Sequence, residues 1–228
     1  MVELFARLGG REAARFTEAS WQGAQLAFAG GIRLEVLEPR DSPADDFLDR
    51  FLARTGPGPH HVTFKVGDIR ACIAHLWDWG IEPLKIDLSN EGWMECFLHP
   101  NLGIGTVVQL AQSSGDWSAE HALPPLAPGA PGWSFLGAEL RCDMGVADTI
   151  FHRLLGAAIH DLDGARSYSW THGTLVARPA GAKRPAVERL IFRAVGNVDT
   201  DPASRDEEPL FGGPATVRTL AADQPWPD

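Results

Sequence analysis

Between residues 56 and 110 the spacing of apolar residues reads as strand, helix and then three short strands, a succession few folds accommodate. In residues 61–66, Val62, Phe64 and Val66 share one face while His61, Thr63 and Lys65 share the other, because successive strand side chains point to opposite sides. In 104–110, Ile104, Thr106, Val108 and Leu110 line one side, which leaves Gln109 and Val107 on the opposite one. Upstream, Ile32, Leu34 and Val36 alternate with Arg33 and Glu35. A histidine, a carboxylate and an amide therefore occupy the non-core faces of three strands. They meet around one divalent cation only if those strands curl about a common cleft.

The chain also repeats itself. Phe5–Gly10 (FARLGG) reads like Phe151–Gly156 (FHRLLG), and Trp21 to Ala27 can be laid against Trp170 to Val176. In the later copy the helix end is preceded by a strand-like FLGAELRC at 135–142, whereas the earlier copy begins at Met1 inside its helix. Module one is thus expected to lack its opening strand and most of its first helix. Three explanations stand open: a longer natural protein that carries the strand and a histidine on it, a strand supplied from elsewhere, or a loop that covers the edge. The supplied strand would come from a partner subunit or from VERLIFRAV at 187–195, which would bring Glu188 or Arg189 to the missing position. A bare edge is the least expected outcome, because it exposes backbone donors and acceptors.

Residues 113–132, rich in proline, glycine, serine and alanine, read as a linker. The expected organisation is a module pair over 1–112, that linker, and a second, degenerate domain over 133–228. In the latter, a strand and helix precede the hairpin-like SYSWTHGTLVARP and the strand VERLIFRAV; a polar loop DTDPASRDEEP and a short strand over Ala215–Leu220 follow. That is a third module followed by an abbreviated fourth. Gly137 or Ala138 falls where His61 sits in the second, so no second metal site is expected there.

With 228 residues and 44% hydrophobic content, the chain can bury one good core or two smaller ones. The net charge of -10 argues against general nucleic-acid binding, whose footprint is basic. No 18-residue apolar run and no signal-peptide pattern is present, so the expectation is a cytoplasmic protein without a membrane partner. Cys72, Cys96 and Cys142 show no C-x-x-C spacing and read as reduced structural residues.

From Ile32 to Leu110 several pieces occur in order: LEVLEP, DSPADDFLDRF, GPGPHHVTFKV, a DI that opens a helix, FLHP, and a G-x-VVQL strand. This series resembles the vicinal-oxygen-chelate superfamily of glyoxalases, bleomycin-resistance proteins and extradiol dioxygenases, and within it the methylmalonyl-CoA epimerase branch. The resemblance implies an α+β fold of paired βαβββ modules forming open half-barrel sheets, with a degenerate second pair. It implies metal ligands at Glu35, His61 and Gln109, the last a departure from the family's usual glutamate, since an amide is a weaker donor to a hard cation. The metal would be divalent manganese, cobalt, zinc, nickel or iron, or absent in a binding-protein version. Trp21 and Trp93 fall where relatives line the pocket, and relatives of this kind form homodimers.

A metal in such a cleft polarises a carbonyl and stabilises an enolate, and a neighbouring carboxylate moves the proton. Extradiol cleavage needs two histidines and a carboxylate on iron, and only one histidine is at hand. The family's epimerase base falls on Gln25, whose amide cannot take a proton from carbon, with Glu95 in MECFL as the nearby substitute. Each residue also has a plainer reading: His61 as a bonded sheet histidine, Glu35 as a solvated strand carboxylate, His60 as a solvated loop residue, His99 as the residue that fixes a turn. Two functions stay open: a metal-dependent isomerase, epimerase or lyase acting on a small oxygenated acid or thioester, and a metal-free protein that binds or sequesters a small molecule.

Overall fold

The computed structural model describes residues 1–41, 46–114, 132–195, 208–209 and 215–220. In chain order, α1 (Val2–Arg7) leads into three antiparallel strands, β1 (Arg11–Thr17), β2 (Trp21–Ala27) and β3 (Arg33–Pro39), which lie in the order β1-β2-β3. Asp46 then caps α2 (Phe47–Thr55) by accepting from the Phe47 N–H, which satisfies one of the free donors at a helix start.

The next segment is a full βαβββ module: β4 (His61–Lys65), α3 (Ile69–Asp78), β5 (Leu84–Asp87), β6 (Met94–Leu98) and β7 (Val107–Gln112). Asp68 starts α3 by accepting from the Ala71 N–H at 3.0 Å, and Gly80, at φ 72°, follows its end. The strands lie in the order β4-β7-β6-β5, with β4 parallel to β7 as its helical crossover requires. The last strand begins at Val107, later than the 104 expected from alternation. Gly105 explains the delay: it sits at φ 91°, and a Cβ there would lie 2.7 Å from the Ala186 nitrogen and 2.8 Å from the Arg141 carbonyl.

The third segment repeats the plan with β8 (Gly132–Cys142), α4 (Met144–Ala147) continuing as a π-helical stretch over Asp148–Leu154, β9 (Ala158–Leu162), β10 (Ala165–Trp170) and β11 (Gly173–Pro179). Its order, β8-β11-β10-β9, is that of the second segment. The fourth is abbreviated to β12 (Ala186–Val195), β13 (Glu208–Pro209) and β14 (Thr216–Leu220), with β12 parallel to β14. The fold is thus α+β, built of βαβββ modules on open sheets, with the fourth degenerate. In the second and fourth the closing strand pairs in parallel with the opening one, and in the third β11 neighbours β8; in the first, β3 has no such neighbour among the described residues. VERLIFRAV does not fill that place, because β12 lies between β14 and β8.

By contact density the chain forms two compact units, residues 1–58, 118–137 and 189–227 in one, and 59–117 and 138–188 in the other. They are interleaved rather than sequential, since β8 and β12 each contribute to both. Most of the 113–132 stretch and of DTDPASRDEEP lies outside the described residues.

The first unit is held by an aromatic cluster. Phe135 stacks on Phe192 at 4.7 Å, Phe28 meets both at 5.4 and 5.5 Å, and Phe5, Leu8, Leu26 and Val217 close around them. In the second unit Ile69, Ile73 and Leu76 of α3 pack on Cys96, Leu98, Val108 and Leu110, in one cluster with Leu140, Phe151 and Tyr168. Burying each such side chain contributes about 1.5–3 kcal/mol. Cys72, Cys96 and Cys142 are free thiols, and burial pushes those of Cys96 and Cys142 up to about 12, so both are inert cores of packing rather than nucleophiles.

Candidate functional site

The residues singled out from the sequence fall into two groups, one in each unit. In the first unit Gln25 and Glu35 face each other across β2 and β3, where the antiparallel register pairs them. The Arg33 guanidinium donates to the Gln25 oxygen at 2.8 Å, and the Gln25 amide bonds the Glu35 carboxylate. Glu35 is exposed as a residue, but its carboxyl lies low on the sheet. Loss of water there lifts it above the usual carboxylate range, and the bond from Gln25 opposes this without cancelling it. Trp21 projects from the same face of β2 as Gln25. Its ring meets Phe16 edge-on at 5.4 Å and Phe47 at 6.2 Å. Gly23 lies between them in the alternation, and a Cβ on it would come within 2.4 Å of the Phe16 ring. That end of the face is therefore filled by aromatic packing.

The second unit holds a continuous polar chain. The parallel register of β4 and β7 sets Thr63 beside Gln109, and the Thr63 hydroxyl donates to the Gln109 oxygen at 2.6 Å. The Gln109 amide donates to Glu95 Oε2 at 2.7 Å, and the same oxygen accepts from the Trp93 indole N–H at 2.6 Å. Gln109 is 8% exposed, so an amide with both ends occupied is the arrangement its burial demands. Lys65 places its ammonium 3.6 Å from the centre of the Trp93 ring and donates to Ser113 at 3.0 Å. The registers set Lys65 and Glu95 on either side of Ala111 in one cross-strand row.

His61 shares the face of Thr63 and Lys65, as the alternation predicts. Its Nδ1 lies 2.9 Å from Nδ1 of His60, so one ring donates to the other. His60 is thus half-buried and bonded rather than solvated. Burial pushes the His61 imidazole below its ordinary value, which keeps it neutral at pH 7. His99 fixes a turn, accepting from the Asn101 N–H at 3.0 Å.

The registers also expose the repeat behind these groups. Gln25 pairs with Glu35, and Phe97 pairs with Gln109, each four residues after a tryptophan, Trp21 or Trp93. Glu35 and Gln109 hold equivalent places on closing strands; Glu95 corresponds to Gly23, not to Gln25. Sequence reasoning missed Thr63, Lys65 and His60 as members of the site. The signal was available for the first two, since they share the His61 face.

A resident metal fits these donors poorly. Among the described residues no three His, Cys, Asp or Glu side chains group to hold an ion. Within the second unit His61 offers one imidazole, the Gln109 oxygen already accepts from Thr63, and Glu35 belongs to the other unit.

Residues 1–97 match the family model described as Glyoxalase/Bleomycin resistance protein/Dioxygenase superfamily. The match covers less than half of the chain and takes in most of the Ile32–Leu110 series that resembles the vicinal-oxygen-chelate group. Among solved structures, methylmalonyl-CoA epimerase from Streptomyces coelicolor in complex with 2-nitronate-propionyl-CoA is 27% identical, over 50% of this chain and 85% of that one, at a TM-score of 0.41. The methylmalonyl-CoA epimerase of Mycobacterium tuberculosis is 20% identical over 52% and 81%, at 0.44. A hypothetical protein from Staphylococcus aureus shares the fold over 94% of this chain and 90% of its own, at 9% identity and a TM-score of 0.59. No curated protein matches the chain. Among the described residues, no helix is long and apolar enough to cross a membrane.

Proposed function

We propose that this chain is an enzyme that moves a proton at the carbon beside a carbonyl, in a small oxygenated acid or its thioester. The observation that carries the reading is the state of Glu95. Its Oε2 is held by two N–H donors, from Trp93 and Gln109, while Oε1 makes no hydrogen bond among the described residues. A carboxylate fixed by one oxygen and open at the other is oriented to take a proton and return it. Lys65, across Ala111 in the same row, supplies a cation for the substrate's carbonyl or carboxylate oxygen, where negative charge grows as the proton leaves. The neutral His61 is available to bond a more distant substrate oxygen.

A second reading rests on Gln109. At the position where relatives use a glutamate ligand, this chain has a neutral amide with both ends engaged, which suits a protein that holds a small molecule without turning it over. The set Glu35, His61 and Gln109 as ligands of manganese, cobalt, zinc, nickel or iron draws on both units. Metal analysis of protein purified without chelator, repeated on Glu35→Ala and His61→Ala, tests it directly.

Solvent deuterium exchange separates enzyme from binder. The protein is incubated in deuterium oxide with propionyl-CoA and methylmalonyl-CoA, and label at the α carbon is read by NMR. Exchange in the wild type, lost at least 100-fold in Glu95→Gln with substrate binding kept, is expected. Exchange unchanged in Glu95→Gln removes Glu95 from the mechanism; binding without any exchange favours the second reading.

A further inference from the structure

The face of β12 and β14 that turns away from the aromatic core carries arginines the proposed chemistry leaves unused. Leu190, Phe192 and Val217 point into the core of the first unit. Alternation therefore turns Arg189, Ile191 and Arg193 to the opposite side of β12. The parallel register pairs Arg189 with Thr216, Ile191 with Arg218 and Arg193 with Leu220, so Arg218 and Arg193 share that side with Ile191 and Leu220 between them. Ile191 is fully buried and Leu220 is 1% exposed, so this floor is dry.

Arg193 is the unusual member. Its Nε is buried and has no hydrogen-bond partner among the described residues. A guanidinium does not shed its proton to escape burial, so an N–H left without an acceptor costs the full desolvation of that donor. Arg218 likewise forms no hydrogen bond or ion pair among the described residues. The chain has 30 acidic side chains against 20 basic ones, yet among the described residues neither guanidinium has an ion-pair partner.

We propose that Arg193 and Arg218 form a binding site for a small oxyanion, a phosphate or carboxylate group, on this face of β12 and β14. An oxyanion has what the site lacks: acceptor lone pairs for the buried Nε–H and negative charge for both guanidiniums, whose planar forks match phosphate and carboxylate oxygens. The site lies wholly in the first unit, apart from Glu95 and Lys65, and does not depend on the proton-transfer reading.

Isothermal titration of the full chain with inorganic phosphate, and separately with butyrate, tests this in chloride buffer. One saturable site for at least one probe is expected, weakened tenfold or more in Arg193→Met and in Arg218→Met; whichever probe binds identifies the oxyanion class. Arg193→Met should also leave the ligand-free thermal midpoint unchanged or raised, because it removes a buried unpaired donor. A purely structural arginine would lower that midpoint, and this result overturns the proposal. Failure of both probes to bind, or binding indifferent to both substitutions, also overturns it. Arg193→Lys keeps the charge and loses the Nε–H; it should retain the native circular dichroism spectrum and bind more weakly, and wild-type affinity in it counts against the site.

Discussion

Replacing Gln109 by leucine cuts the polar chain at its centre while keeping the side chain's volume. The change removes the Thr63–Gln109 bond, about 1 kcal/mol for a neutral pair, and the Gln109–Glu95 bond, about 2 kcal/mol because the acceptor is charged. Burying leucine where an amide stood returns about 1 kcal/mol. A net loss of about 2 kcal/mol follows, equivalent to a fall of roughly 4–8 °C in the thermal midpoint for a chain of this size. Urea unfolding followed by far-ultraviolet circular dichroism measures it. The decisive form is a double-mutant cycle with Glu95→Ala, because the two side chains share a bond and their effects must not add. A coupling of about 1.5 kcal/mol is expected. Additivity within about 0.5 kcal/mol would refute the contact and remove the support for an oriented Glu95.

Three further outcomes follow from other features. Glu139, on β8, is 2% exposed and accepts from Arg178 at 2.5 Å, so Arg178→Met, which takes one charged partner from a buried carboxylate, should cost about 2 kcal/mol in urea unfolding. Gly105→Ala forces a positive φ on a residue whose Cβ meets backbone, and a loss of about 2 kcal/mol or more by thermal melting is expected. His61 has its folded pKa depressed by burial, so the unfolded chain binds a proton that the folded one does not. Its contribution is present above the unfolded value and lost as pH falls through the histidine range and below; melting midpoints taken from pH 7.5 down to 5 should drop less in His61→Phe than in the wild type.

The parts of this structure governed by alternation were legible in the sequence. Val62, Phe64 and Val66 against His61, Thr63 and Lys65 fixed β4 and its faces, and Asp68 marked the start of α3 because a carboxylate there satisfies a free N–H. The repeat of FARLGG and FHRLLG raised the expectation of a missing opening strand, and β3 has no parallel neighbour among the described residues. What alternation cannot carry is register. Nothing along the chain says that Thr63 lands on Gln109, that Gln109 reaches Glu95 rather than solvent, or that Gln25 faces Glu35, since each depends on which residues of two strands are set side by side. The same limit hid the interleaving of the two units, which arises from long strands whose halves pack on different cores. The orphan Nε of Arg193 lay beyond sequence reasoning altogether, because a strand arginine facing away from a core looks like any solvated cation.

The interleaving sets a timetable for synthesis. Residues 59–117 and 138–188 complete their unit before the ribosome has reached β14, whereas residues 1–58, though made earlier, must wait for 189–220 to bring Phe192 and Val217 to Phe5, Leu26 and Phe28. The segment 1–58 is thus finished after 59–117 and 138–188, which are made later. A stop codon placed after 188 should release a polypeptide in which 59–117 and 138–188 are folded and 1–58 is left as greasy, unsatisfied strands for chaperones to hold.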